Sequence, residues 1–255
     1  MPTLAVDAAS IHYEAAGAGA VTLVLVHGSG GSTAVWRPQM DGLASVARVV
    51  ALDLPGHGAS TGDGFASIDD ATTVVRALVD RLGLGPVVIG GHSMGGAVAQ
   101  HFALTSPERT AGLVLVGTGA RLRVMPKIFE LIEHDYAAAV RFITDAAVAP
   151  GATDAVRAAV FDQTLRTPAR VVARDFAACN AFDVMERLAD IHAPTLVVCG
   201  AEDQLTPPKY AEFLRSRIAG AGLALVAGAG HYVQLERPDE VARAIARFLG
   251  TLAAR

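Results

Sequence analysis

The chain has 255 residues, with 21 Lys and Arg against 25 Asp and Glu, a net charge of -4, and 52% apolar residues. That length suits one large domain, with or without an insertion, and the apolar fraction is enough to bury a core, which excludes disorder. The basic residues form no run, so neither nucleic acid nor a membrane surface is an expected partner.

From the start of the chain, Met1–Glu14 lacks the basic opening and apolar stretch of a secretion signal. Leu4–Val6 and Ile11–Glu14, separated by a turn, predict an antiparallel hairpin at one edge of a sheet. Val21–His27, Arg48–Asp53, Pro86–His92 and Thr110–Val116 are near-continuous apolar runs, the pattern of strands covered on both faces. None approaches the length of a membrane span. Between them, helical periodicity covers Thr33–Ala44, Ile68–Leu82 and Met94–Thr105. After Gly119 the alternation stops, and only helical patterns follow, around Ile128–Glu133, Ala138–Ala147, Thr153–Leu165 and Ala169–Ala178. Strand patterns resume at Pro194–Cys199 and Leu223–Val226, with helices at Pro208–Ile218 and Glu236–Leu252. The expected fold class is α/β, a mostly parallel, doubly wound sheet of about eight strands. Its core spans 1–119 and 189–255, and a helical insertion over 120–188, after the sixth strand, caps the carboxyl edge where ligands bind in open sheets. Cys179 and Cys199 have neither metal-ligand nor redox-motif spacing and read as buried thiols in a reducing, cytoplasmic compartment.

Gly91-His92-Ser93-Met94-Gly95 lies between a strand and a helix. With nine serines and 26 glycines in the chain, about 0.1 matches to this spacing arise by chance, so the flanking elements carry much of the weight. A serine on so tight a junction needs neighbours without side chains, and the helix beyond it directs free N–H groups at developing negative charge. His27-Gly28-Ser29-Gly30-Gly31-Ser32 ends another strand. Its Ser29 N–H, with that of Met94, is the candidate oxyanion-hole pair. Asp203 and His231 also follow strands and fall on the same edge, giving the chain order Ser, Asp, His. In that arrangement His231 takes the Ser93 proton and Asp203 orients the imidazole. Glu202 is the nearest competitor for the acid, and Asp53 could serve as a displaced one. Asp53 reads better as pinning the turn after it, and His27, His57 and His92 as bonded to loop backbone. Trp36 reads as core. No His or Cys grouping points to a metal.

His27-Gly28-Ser29-Gly30, Asp53-Leu54-Pro55-Gly56-His57-Gly58, Gly91-His92-Ser93-Met94-Gly95-Gly96, Gly200-Ala201-Glu202-Asp203 and Gly230-His231 stand in the order and spacing of the α/β-hydrolase superfamily, which the chain resembles from about Val21 to Leu249. The resemblance implies an eight-stranded sheet with a first antiparallel strand, a helical lid at the insertion, and no cofactor. Small esterases, enol-lactonases, haloperoxidases and C–C bond hydrolases look similar. Dehalogenases and epoxide hydrolases of the superfamily use Asp where this chain has Ser93. Meta-cleavage C–C hydrolases usually carry Pro in the oxyanion loop and Trp after the histidine, where this chain has Gly28-Ser29-Gly30-Gly31 and Tyr232. The leading expectation is hydrolysis of a small carboxylic ester or lactone through a Ser93 acyl-enzyme. C–C hydrolysis of a meta-cleavage diketone and a non-turnover ligand receptor are the alternatives, with perhydrolase or thioesterase behaviour behind them. Phe129, Ile132, Phe142, Ile143, Phe161, Phe176 and Phe182 are candidate pocket residues, although an ordinary packed insertion explains them equally. The oligomeric state is left open.

Overall fold

The computed structural model describes residues 2–6 and 9–253. Eight strands form one sheet: β1 (Thr3–Val6), β2 (Ala9–Ala16), β3 (Thr22–Val26), β4 (Arg48–Leu52), β5 (Val87–His92), β6 (Thr110–Val116), β7 (Thr195–Gly200) and β8 (Gly222–Val226). Their spatial order is β1-β2-β4-β3-β5-β6-β7-β8. β2 pairs antiparallel with both β1 and β4, and every pairing from β4 onward is parallel. The expected hairpin is thus present at the edge, its turn lying outside the described residues.

Strand periodicity divides the core in two. Val24, Val26, Val50, Leu52, Val87, Ile89, Leu113 and Leu115 point to one face, against α2 (Ile68–Arg81), α3 (Met94–Thr105) and α8 (Pro208–Arg217). Their neighbours Leu23, Leu25, Val49, Ala51, Val88, Val114 and Val116 point to the other, against α1 (Arg37–Leu43) and α10 (Pro238–Ala253). Successive side chains of a strand face opposite ways, so a strand buried on both sides must be apolar throughout. Sequence and structure agree here for that reason. Trp36 is fully buried in the second cluster, at the end of a 3-10 turn that leads into α1. The single helix expected over Thr33–Ala44 is therefore two pieces. The helix expected over Glu236–Leu252 is α10, opened by Pro238, and a short α9 (Val233–Glu236) precedes it. Proline has no N–H to continue the earlier turn and suits a first helical position.

The segment after β6 contains α4 (Pro126–His134), α5 (Tyr136–Ala147), α6 (Asp154–Arg166) and α7 (Ala169–Ala181). Asp135 and Thr153 cap α5 and α6 through side-chain bonds to backbone N–H groups, each satisfying a donor with no intrahelical partner. Its ends are tied together. Leu122 and Phe182 share a backbone hydrogen bond, as do Val184 and Ala120, and an antiparallel bridge joins Arg121 to Asp183. The insertion therefore leaves and re-enters the core at one place. Among the described residues, no helix is long and apolar enough to cross a membrane.

Removing the largest buried side chain tests the second core cluster. Trp36→Ala is expected to cost about 3–5 kcal/mol, as deletion of a fully buried aromatic does. Urea denaturation will show this as a lower midpoint with little change of slope.

Candidate active site

Ser93 sits at the junction of β5 and α3 with φ of 53°. It is the one non-glycine residue with positive φ among the described residues. Such backbone is costly for an L side chain and persists only where its surroundings over-determine it. Here they do. The Ser93 N–H donates to the Val116 carbonyl at 2.9 Å, and the Thr118 hydroxyl donates to the Ser93 carbonyl at 2.8 Å. The flanking glycines allow the approach: a Cβ on Gly91 would lie 2.0 Å from the Gly95 carbonyl oxygen, and one on Gly95 would lie 2.2 Å from that of Val26. Ser93 occupies the N-cap position of α3, yet its side chain makes no capping bond. The hydroxyl is thus left to the cavity that Ser93 lines.

His231 and Asp203 meet, at 2.9 Å between Nδ1 and Oδ2. Asp203 is buried, and its carboxylate accepts further bonds from the Leu205 and Thr206 N–H groups and the Thr206 hydroxyl, all within 2.9 Å. Burial raises its pKa, but the His231 charge and these hydrogen bonds outweigh that, holding the carboxyl below its usual range. With Nδ1 turned to Asp203, His231 keeps Nε2 free as a proton acceptor. Ser93, His231, Ser29 and Thr206 line one cavity of about 140 Å³, with Leu122, Ile128, Ile143, Phe176 and Cys179 among its walls. The Ser93 hydroxyl makes no hydrogen bond with His231 or with any other described residue. Glu202 is exposed and lies outside this cavity's lining. Asp53 binds the Ala59 N–H and, across the chain, that of Thr33, so it pins the loop as expected.

The histidines around the site divide by charge. His27 accepts from the Leu54 N–H at 3.0 Å and faces the Gly28 carbonyl at 2.8 Å. Burial and the neighbouring His57 charge hold its pKa well below 6.5. His92 faces the His231 carbonyl through Nε2 at 3.0 Å, its Nδ1 is buried with no partner, and burial pulls its pKa down to about 3. Both match the backbone-bonding role read from sequence. His57 keeps that role and adds a second one. Its Nδ1 faces the Pro55 carbonyl at 3.0 Å and its Nε2 faces Asp175 Oδ2 at 2.8 Å, with both residues fully buried. Burial opposes its charge, but the carboxylate, its hydrogen bond, the Pro55 carbonyl and Asp53 outweigh it, raising the pKa above 6.5. Two acceptors on two ring nitrogens require the imidazolium.

Asp175, on α7, was not singled out in the sequence. The same Oδ2 also accepts the Gly30 N–H at 2.8 Å, while the Thr167 hydroxyl donates to the Gly30 carbonyl at 3.1 Å. The insertion therefore holds both peptide groups of the glycine next to Ser29. On the other side of the cavity, the His231 N–H donates to the Ala147 carbonyl at 2.7 Å. Glu236 accepts N–H bonds from Gly230 and Ala149 together. Of the candidate pocket residues, Ile143 and Phe176 reach the cavity. Phe182 packs in the main core and Ile132 in the insertion's own; Phe161 lies beneath the Arg141 guanidinium, and Phe142 is largely exposed. Cys179 and Cys199 are free and buried, as expected. Cys179 sits 3.7 Å from the Ser29 hydroxyl, and burial pushes its thiol up to about 12, making it a neutral wall residue.

A family model described as "Alpha/beta hydrolase family" matches residues 23–244. The chain belongs to that family. It is an enzyme of the α/β-hydrolase fold, and hydrolases are among its relatives. A pimeloyl-[acyl-carrier protein] methyl ester esterase of Nitrosomonas europaea is 31% identical over 91% of this chain and 96% of its own. A 2-hydroxy-6-oxononadienedioate/2-hydroxy-6-oxononatrienedioate hydrolase of Escherichia coli is 30% identical over 94% and 90%. The enol-lactonase of Burkholderia xenovorans superposes with a TM-score of 0.90 at 26% identity, over 98% of this chain and all of the other.

The buried pair gives a signed pH dependence. Because the folded pKa of His57 is raised, its stabilisation is complete below about pH 6.5 and is lost as the pH climbs through the higher folded value. The stability gap between wild type and His57→Gln, measured by urea denaturation, is therefore expected to be widest in acid and to narrow toward alkaline pH. Asp175→Ala, which strands a buried cation, is expected to cost about 3–5 kcal/mol.

Proposed function

We propose that the enzyme hydrolyses a small carboxylic ester or lactone through an acyl-enzyme on Ser93. Ser93 Oγ attacks the carbonyl carbon as His231 Nε2 takes its proton. Asp203 holds the imidazole in the Nδ1–H tautomer and stabilises the imidazolium formed. The N–H groups of Ser29 and Met94 receive the oxyanion, each worth about 3 kcal/mol in the transition state. His231 returns the proton to the leaving alcohol, and water, activated by the same imidazole, releases the acid. The observation that carries this reading is the 2.9 Å His231–Asp203 contact on the cavity that also holds the strained Ser93. The Ser93–His231 hydrogen bond forms as substrate docks, since such bonds are often long in unliganded enzymes.

Residues 120–188 act as the lid over a core of 1–119 and 189–255. The lid's Ile143 and Phe176, with Leu122 and Ile128, supply the apolar wall. A cavity near 140 Å³ suits a small acyl group, since an apolar hole of about 150 Å³ holds a molecule the size of benzene. The Escherichia coli relative acts, by its name, on a dienedioate, which makes C–C hydrolysis the second reading.

Ser93→Ala is expected to abolish nitrophenyl-ester turnover and fluorophosphonate labelling while its thermal unfolding stays cooperative. Asp203→Asn is expected to lower kcat by about 10⁴ with KM nearly unchanged, the cost of losing the tautomer. Ester turnover persisting in Ser93→Ala would overturn the assignment. Faster turnover of a dienoic ring-cleavage product than of any ester would favour the second reading.

A further inference from the structure

Beside the catalytic cavity lies a groove of about 260 Å³, lined by Arg121, Arg123 and Lys209 together with Met185, Tyr210 and Phe213. Arg123 and Tyr210 line both spaces, so the groove and the catalytic cavity adjoin at these two side chains. Three of its lining residues are cations and none is a carboxylate, in a chain whose net charge is -4 and which has only two lysines. The charges are unequally compensated. Arg121 lies 3.6 Å from the Asp183 carboxylate. Arg123 donates to the Asn180 carbonyl at 3.0 Å and, among the described residues, forms no ion pair. Lys209 forms none either, and its ammonium lies 5.8 Å from the Tyr210 ring. Two cations with no ion pair among the described residues thus share this groove with an apolar floor of Met185, Tyr210 and Phe213. A substrate larger than the inner cavity can extend into this neighbouring space.

We infer that the substrate is an ester or lactone with an anionic end group, a carboxylate or a phosphate, which Arg123 and Lys209 bind in this groove while the carbonyl sits at Ser93. The inference rests on the Ser93 reading and adds the chemical class of the substrate. The apolar floor accommodates the carbon chain between the two charges and the reacting carbonyl. Arg123, at the junction of the two spaces, selects for chain length as well as charge.

The test compares matched pairs of esters. On the acyl side, monomethyl esters of short dicarboxylic acids are set against methyl esters of monocarboxylic acids of equal length. On the alcohol side, acetate esters of an ω-hydroxy acid and of glycerol phosphate are set against butyl acetate. In at least one arm, kcat/KM for the anionic ester is expected to exceed its neutral partner by about tenfold at low salt, the sum of two partly exposed ion pairs. The advantage should reside in KM and shrink as salt screens the charges. In Arg123→Gln/Lys209→Gln the ratio is expected to fall to about one, with the neutral ester, measured on the same sample, serving as the control for folding. The two alcohol-side probes separate carboxylate from phosphate recognition. A wild-type ratio of one or less in every arm, or a ratio that survives the double substitution, overturns the inference while leaving Ser93 chemistry intact. Failure of every neutral ester, with no labelling of Ser93, removes the acyl-enzyme reading and this inference with it.

Discussion

A positive φ at Ser93 is unfavourable on its own, and the surrounding structure serves to hold it. The Val116 carbonyl and the Thr118 hydroxyl fix the two sides of that residue. Both come from β6 and the turn after it, so the elbow is set by the neighbouring strand as well as by its own. Gly91 lets α3 approach β5, and Gly95 lets it approach β3. The same strain keeps the hydroxyl off the helix cap it would otherwise satisfy. Local strain of this kind persists only where packing cannot relax it, and the strands around Ser93 are fully buried.

The insertion is built into this site. It binds the Gly30 peptide through Asp175 and Thr167, and it binds the His231 loop through the Ala147 carbonyl and the shared Glu236 carboxylate. Between them these contacts span the cavity from the glycine loop at Ser29 to the imidazole. A buried carboxylate needs a counter-charge, because an isolated one is too costly to desolvate. His57, brought in from the loop after β4, supplies it. The charge balance of the insertion therefore depends on the core, and the backbone geometry of the core's Ser29–Gly30 loop depends on the insertion. Opening the cavity at this end would separate an ion pair.

Much of this was readable in advance because the signals are local. Met94–Thr105 is the helix predicted to the residue, since a glycine-rich junction starts it and Ser106-Pro107 ends it. The four helical patterns of the insertion were placed within a few residues of α4 to α7. The errors have physical causes. Thr33–Ala44 reads as a single helix because periodicity persists across a 3-10 turn, and α9, of four residues, is too short to show a period of its own. The aromatic residues of the insertion could not be sorted into wall, core and surface, because a helix pattern tells which residues share a face and not what that face meets. His57 does bond loop backbone, at Pro55, but its second partner, Asp175, is 118 residues away and leaves no local signal.

The sequence by itself determined the order of the strands and helices and the placement of Ser29, Ser93, Asp203 and His231 after strand patterns, hence on one edge of a parallel sheet. These follow from a period of two residues in a strand and from the short range of turn chemistry, which any stretch of chain displays on its own. Only the tertiary structure decided that Asp203 and not Glu202 meets His231, that Asp175 joins His57 to Gly30, and that unpaired cations gather beside Tyr210. Those contacts link segments far apart in the chain, and an electrostatic interaction depends on distance through space, which no local pattern encodes.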